Sequence, residues 1–244
     1  SWTPRGATIA GLQPSGGNLG SSVSLSADGA VLLVGDRTGL GYVRVYVWDG
    51  TSWNQRGSDL VGAPGSFFGL SSVLTPNGLT VAVGSLLNDN GGTNAGRAQV
   101  YTWDGTVWNQ MGTNLEGVAG DGFGRRVALS SDGTVLAVGA YMVDGSATSK
   151  AGYCRVFQWD GSAWNQLGLD INGKSNGDRF GSSVSISADG TAVLVGGYQA
   201  SNAGPGYAQL YHLISGSWVQ VGPDVTGDDS NDEFGWANAI SDDG

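Results

Sequence analysis

Reactive side chains are scarce in this sequence. Among 244 residues there is one histidine, His212, and one cysteine, Cys154. Acyl or phosphoryl transfer needs a nucleophile beside a positioned base, and neither residue has a partner at a spacing that would supply one. Positions equivalent to Cys154 hold Val43, Ala98 and Ala208, so it reads as a small buried hydrophobe. Positions equivalent to His212 hold Val47, Thr102 and Gln158. Glycines follow turn spacing, with no strand-to-helix phosphate loop. The expectation is a protein that is not an enzyme.

Metal chemistry has one candidate. Calcium takes roughly six to eight oxygen ligands, and "GDDSNDEFG" (227–235) gathers Asp228, Asp229, Asp232 and Glu233. They are the candidate calcium ligands, with solvated loop charge as the alternative. A second polar loop, "NDNGG" (88–92), carries Asn88 and Asp89. Net charge is −10, with Lys150 and Lys174 as the two lysines and Arg125–Arg126 as the one adjacent basic pair. A nucleic-acid surface needs clustered cations, so no nucleic-acid partner is expected. No apolar run approaches the roughly 18 residues of a membrane span.

Around these residues the chain repeats itself. "WDGTSWNQRGSDL" (48–60) returns as "WDGTVWNQMGTNL" (103–115) and "WDGSAWNQLGLDI" (159–171), with a weaker echo in "LISGSWVQVGPDV" (213–225). Anchored on Trp2, Trp53, Trp108, Trp164 and Trp218, the spacings are 51, 55, 56 and 54 residues. A period near 50 indicates a repeat architecture. Each unit holds four strand-like runs rich in β-branched and aromatic residues. "SADG", "TPNG", "SSDG" and "SADG" lie between the first and second runs, where residues tolerant of positive φ are wanted. The fourth run is the "SWNQxG" segment. The expected fold is all-β: a β-propeller of four-stranded antiparallel blades at 18–58, 68–113, 123–168 and 180–222, with partial blades at 1–6 and 232–244. The single domain over 1–244, with its missing initiator Met, reads as a processed chain or part of a larger propeller of six to eight blades, with a compact four-bladed ring with frayed ends as the alternative.

"FGLSSVLTPNGLTVAVGS" (68–85), "FGRRVALSSDGTVLAVGA" (123–140) and "FGSSVSISADGTAVLVGG" (180–197) resemble the FG-GAP repeats of integrin-α-like β-propellers. That resemblance implies the propeller fold and a role in protein binding at a cell surface. It also implies a calcium loop of Asp-x-Asp/Asn-x-Asp-Gly form. Here the matching hairpins keep a single carboxylate each, at Asp28, Asp132 and Asp189, so these aspartates read as turn formers.

Tryptophans at two fixed positions of the unit read as packing between like sheets. Trp236 differs, because its counterparts are Ser21, Leu70, Arg125 and Ser182, and it is the tryptophan expected in recognition. Hairpin turns on one face are nearly identical between copies, while connections on the other vary in length and charge. Variable loops on a rigid scaffold carry recognition. The candidate ligand-binding residues are therefore Asp36, Asn88, Asp89, Asp144, Tyr198 and Trp236. The expected function is a binding or scaffold module that meets a protein partner or larger assembly, extracellular, at a cell surface or in a lumen. The alternative is a propeller lectin holding a glycan on the repeated Trp and Asn-Gln pairs, if those rings are exposed.

Overall fold

The structure is a computed structural model that describes residues 1, 3–12, 16–141, 151–198, 204–230 and 232–244. Trp2, Asp144 and Lys150 lie outside the described residues. Four antiparallel sheets follow one another along the chain. The first contains β1 (Leu19–Leu25), β2 (Val31–Asp36), β3 (Tyr42–Trp48), β4 (Trp53–Gln55) and β5 (Leu60–Val61). The second contains β6 (Phe68–Leu74), β7 (Thr80–Ser85), β8 (Arg97–Trp103), β9 (Trp108–Gln110) and β10 (Leu115–Glu116). The third contains β11 (Phe123–Leu129), β12 (Val135–Ala140), β13 (Tyr153–Trp159), β14 (Trp164–Gln166) and β15 (Ile171–Asn172). The fourth contains β16 (Ser183–Ile186), β17 (Ala192–Gly197), β18 (Tyr207–Ile214), β19 (Ser217–Gln220) and β20 (Val225–Thr226). No helix among the described residues is long and apolar enough to cross a membrane.

Within each sheet, consecutive strands pair as a meander, which is the blade expected from the repeat. The outer edge is richer than expected. Two short strands in line complete it, β4 pairing the end of β3 and β5 its beginning, and the other blades do the same. The hairpin turns form as expected: Asp28 Oδ1 accepts the Ala30 amide at 2.9 Å, and Asp132 and Asp189 repeat the contact. These turns also relay between blades, with the Ala27 amide donating to the Pro76 carbonyl and the Ser131 amide to the Ala188 carbonyl. Pro76 has no N–H to extend that relay to the third blade.

The innermost strands pack in series, β1 on β6, β6 on β11 and β11 on β16; among the described residues no packing of similar extent returns from β16 to β1. Apolar clusters fill the seams between blades. Phe68, Phe123 and Phe180, each 0 % exposed, seat the Phe of the "FG" opening against the valines and alanines of the preceding blade. Cys154 lies inside the third of these clusters, and burial pushes its thiol well above the usual range. Closer to the inner strands the backbones themselves meet. A methyl group on Gly35, Gly84, Gly139 or Gly196 would overlap the carbonyl oxygen of Gly69, Gly124, Gly181 or Gly235 in the next blade. Only a residue without Cβ fits there.

The segment "EFGWANAIS", expected as a first strand, takes that seat without forming a ladder. Phe234 bridges Gly206, and the Gly235 carbonyl accepts the Ser183 hydroxyl at 2.6 Å, yet among the described residues no second strand lies beside it to pair. At the other end, residues 3–6 form no strand, although Arg5 and Gly6 make the contacts of a "WNQxG" ending.

Gly84→Ala therefore has to cost more than about 3 kcal/mol, because backbone on both sides must separate. Gly105 sits in an open turn at φ +102°, with nothing within 4 Å of an added Cβ, so Gly105→Ala should cost less, about 1–3 kcal/mol from its φ alone. Urea denaturation of the two variants measures the difference, and equal losses would mean the seam is not closed as described.

Candidate functional site

Exposure of the repeated tryptophans separates scaffold from lectin. Trp108 Nε1 donates to the Arg56 carbonyl of the preceding blade at 3.0 Å. Trp164 donates to the Met111 carbonyl, Trp218 to that of Leu167 and Trp53 to that of Arg5. Each indole pair is tilted in contact, Trp48 with Trp53 and Trp103 with Trp108 at 5.3 Å, Trp159 with Trp164 at 5.4 Å. The glycine ending the previous "NQxG" lies under these rings: a Cβ on Gly57 would come 2.7 Å from Trp103 Cζ3. All seven rings are at least half-buried or in this seam position, none bare in water. They join neighbouring blades, as their spacing suggested.

The Asn-Gln pair is occupied as well. Asn54, Asn109 and Asn165 each donate at 2.7 Å to the turn carboxylate of Asp49, Asp104 or Asp160. Gln55, Gln166 and Gln220 donate to Asp59, Asp170 and Asp224, and Gln110 to Asn114. Those acceptors then hold the middle of the third strand: Arg44 is bidentate on Asp59 and Arg155 on Asp170, while Gln209 donates to Asp224.

The other residues singled out by sequence fall on the face where the "FG" openings and variable connections lie. Asp36 is fully buried, and its Oδ1 accepts the Asn18 and Thr38 amides and the Thr38 hydroxyl. Burial opposes ionisation of Asp36, but these bonds outweigh it and hold the carboxyl below the usual range. Asp36 does for the first blade what Asp121 and Asp178 do for the third and fourth, where they accept the hydroxyls of Tyr153 and Tyr207 at 2.7 Å while anchoring linker amides. Asn88 is buried and caps its own loop through the Asn90 amide; Asp89 takes the Asn94 amide. In the acidic loop, Asp232 Oδ2 accepts the amides of Asp228 and Asp229. Among the described residues no group of three or more acidic, His or Cys side chains converges to hold a metal, so Asp228, Asp229, Asp232 and Glu233 are not assembled into a site.

Tyr198 and Trp236 do come together, and they bring company the sequence did not reveal. Their rings meet edge-on at 4.5 Å, with Tyr198 buried and Trp236 48 % exposed. Arg179 lies 5.1 Å from the Tyr198 ring centroid, donates to its hydroxyl, and lies 5.9 Å from the Tyr141 ring. Arg125 also stacks on Tyr141, at 5.1 Å. A continuous run, Arg125–Tyr141–Arg179–Tyr198–Trp236, thus crosses the third and fourth blades. Three structural positions build it. The residue after "FG" sits in a β-bulge, marked by the register shift between Phe123 and Arg126, and a bulge re-aims its side chain. The residue before "FG" has positive φ in four copies: Phe67 at 57°, Gly122 at 61°, Arg179 at 53° and Glu233 at 54°. The third position follows the second strand, at Arg37, Leu86, Tyr141 and Tyr198. In the first blade the same two latter positions give Arg37 over the Phe67 ring at 5.6 Å, beside an open depression of about 450 Å³ lined by Asn18, Ser21 and Leu70.

Similarity to known proteins extends to the fold. The sequence model of the FG-GAP repeat matches residues 113–157. No curated protein sequence matches the chain. Among solved structures, a protein named as a 6-phosphogluconolactonase from Bacteroides uniformis aligns with TM-score 0.58 at 15 % identity, over 90 % of this chain and 58 % of its own. A second so named, from Bacteroides fragilis, gives 0.56 at 17 %, over 88 % and 56 %. The Dos1 propeller gives 0.53 at 13 %, over 91 % and 48 %. The chain thus spans less than two thirds of the length of each. At such identities the similarity carries the fold and not the activity.

The aspartates also set an acid limit on stability. Amides of Ser52 and Thr51 hold Asp49 below the usual carboxylate range, amides of Val107 and Thr106 do so for Asp104, and the Arg44 guanidinium does so for Asp59. Their stabilisation is complete above the unfolded value of 3.8 and drains away as pH falls through the lowered folded values. The melting temperature should therefore hold from about pH 5 to 8 and drop below about pH 4, with Arg44→Gln shrinking the drop; a melting temperature flat to pH 2 would contradict the turn bonds. The chain carries an FG-GAP repeat at residues 113–157 and is built as a β-propeller of four-stranded blades.

Proposed function

We propose that this chain is a non-enzymatic binding module that holds a protein partner on its "FG" face, outside the cell. A propeller with an FG-GAP repeat is a binding or scaffold module in general terms, and FG-GAP repeats are typically extracellular. One observation carries the finer reading. The side chains that repeat in every unit are occupied by internal bonds, whereas on the "FG" face the side chains differ from blade to blade. A lectin built on repeated contacts would draw on the indole N–H groups and the Asn-Gln amides, and these already serve neighbouring blades and turns. The face with identical turns offers self-satisfied Asp-Gly hairpins, while the opposite face offers Arg37, Arg125, Arg179 and Trp236 in partial exposure.

The test is a capture experiment with two variants. In one, residues 86–94 are replaced by the shorter connection 37–40 of the first unit. In the other, Ser162 and Thr106 on the turn face are changed to alanine. A protein held by the wild type should be lost with the first variant and retained with the second, while a glycan array stays blank. Retention by the first variant and loss by the second would move the binding surface to the turns, and repeated glycan hits would favour the lectin.

A further inference from the structure

Cations in this protein are used unevenly. Arg44, Arg97, Arg155 and Lys174 each pair with a carboxylate, on Asp59, Glu116, Asp170 and Asp224. Arg5 and Arg56 donate to the Gly29 and Gly78 carbonyls at the turn face. Arg37, Arg125, Arg126 and Arg179 have no carboxylate partner among the described residues, although acidic residues outnumber basic ones 21 to 11. Arg37 stands by itself in the first blade, whereas the other three lie where the third and fourth blades open on the "FG" face. Arg125 Nε is buried with no hydrogen-bond partner. Arg126 stands where Ser22, Ser71 and Ser183 stand in the other blades, and Ser22 and Ser183 bond the next glycine carbonyl. Burial, with Arg125 beside it, pushes Arg126 down to about 10. Like charges crowded in this way are relieved by an anion.

The ring contacts indicate which anion. A guanidinium stacked on a tyrosine face is held by the ring while its in-plane N–H donors remain free, and that edge matches a planar carboxylate in bidentate fashion. Arg125 and Arg179 both lie over the Tyr141 ring, at 5.1 and 5.9 Å; Arg179 gives one N–H to the Tyr198 hydroxyl and Arg125 Nε is buried, so their remaining Nη groups are the donors presented from one platform, with the Trp236 ring further along. The run continues past Tyr198 to the exposed Trp236 ring, and a site of that length suits carboxylates spaced along a chain.

Resting on the proposed binding role, we infer that the Arg125–Arg179–Trp236 run is the docking site for an acidic peptide segment of the partner, whose Asp or Glu carboxylates pair with Arg125 and Arg179. The glutamine and asparagine repeat positions take no part in it.

The repeats themselves provide the test substitutions. Arg179→Gly installs the residue that the preceding unit has at Gly122, and it relieves a side chain at φ +53°. Arg125→Ser installs the residue of the following unit, Ser182. Both variants should keep or raise the melting temperature. Fluorescence anisotropy with a fluorescein-labelled octaglutamate peptide, at about 0.05 M salt to limit screening, should give saturable binding to the wild-type chain. Each substitution should weaken it about tenfold, in line with the loss of one charge-assisted pair. Arg56→Met, which installs the residue that the second unit has at Met111, should leave it within about twofold, since Arg56 reaches toward the opposite, turn face. The inference is overturned if octaglutamate does not bind saturably, if folded Arg125→Ser and Arg179→Gly bind it as the wild type does, or if a galacturonate tetramer binds more tightly than the peptide. Should the captured partner still map to the "FG" face in those cases, the binding role stands and only the acidic-segment assignment falls.

Discussion

Backbone touching backbone at the inner seam is the constraint that orders the rest. Where the glycine near the end of each second strand meets the carbonyl of the next "FG" glycine, there is no volume for a side chain. Two sheets can approach that closely only if both positions are glycine. Their approach brings the adjacent phenylalanine into the preceding blade and sets the outer edges at the distance an indole N–H needs to reach a carbonyl. Inner glycine, middle phenylalanine and outer tryptophan are therefore one contact with three parts. Each part joins a unit to its neighbour, so contacts between blades add to the stability of each blade, as in other repeat arrays.

That arrangement divides the polar residues into two populations. Those at repeat positions close local circuits: turn aspartate to asparagine, glutamine to the acceptor four residues on, and that acceptor to the third strand. Those at the "FG" openings vary, because the bulge and the positive-φ residue beside it turn them out of the seam. The linker anchor illustrates how far variation goes. Asp121 and Asp178 sit in the linkers they brace, but the first blade moves the carboxylate to the end of a strand at Asp36 and still reaches its linker amide at Asn18.

Much of the fold was legible because it is written several times. Period, turn chemistry and β-branched runs each gave the same blade, and the equivalence of Cys154 to Val43, Ala98 and Ala208 correctly placed the thiol in the core. The split outer edge was less legible, since β5 and its counterparts are two residues long and carry no periodicity of their own. The strand expected at "EFGWANAIS" shows the complementary limit: its pattern suits a strand, but a ladder requires a partner beside it.

The candidate site was half legible. Trp236 stood out as a departure from its counterparts and Tyr198 as a member of a variable connection, and the structure sets their rings in contact. Arg179 and Tyr141 gave no such signal, being 38 residues apart in different units and joined only when successive blades stack. Sequence alone determined the blade, its turns and the packing role of the tryptophans, because those depend on short-range pattern repeated at a fixed interval. Which unrepeated side chains share a surface was decided by the tertiary structure, because that depends on how one seam orients the openings of two neighbouring sheets.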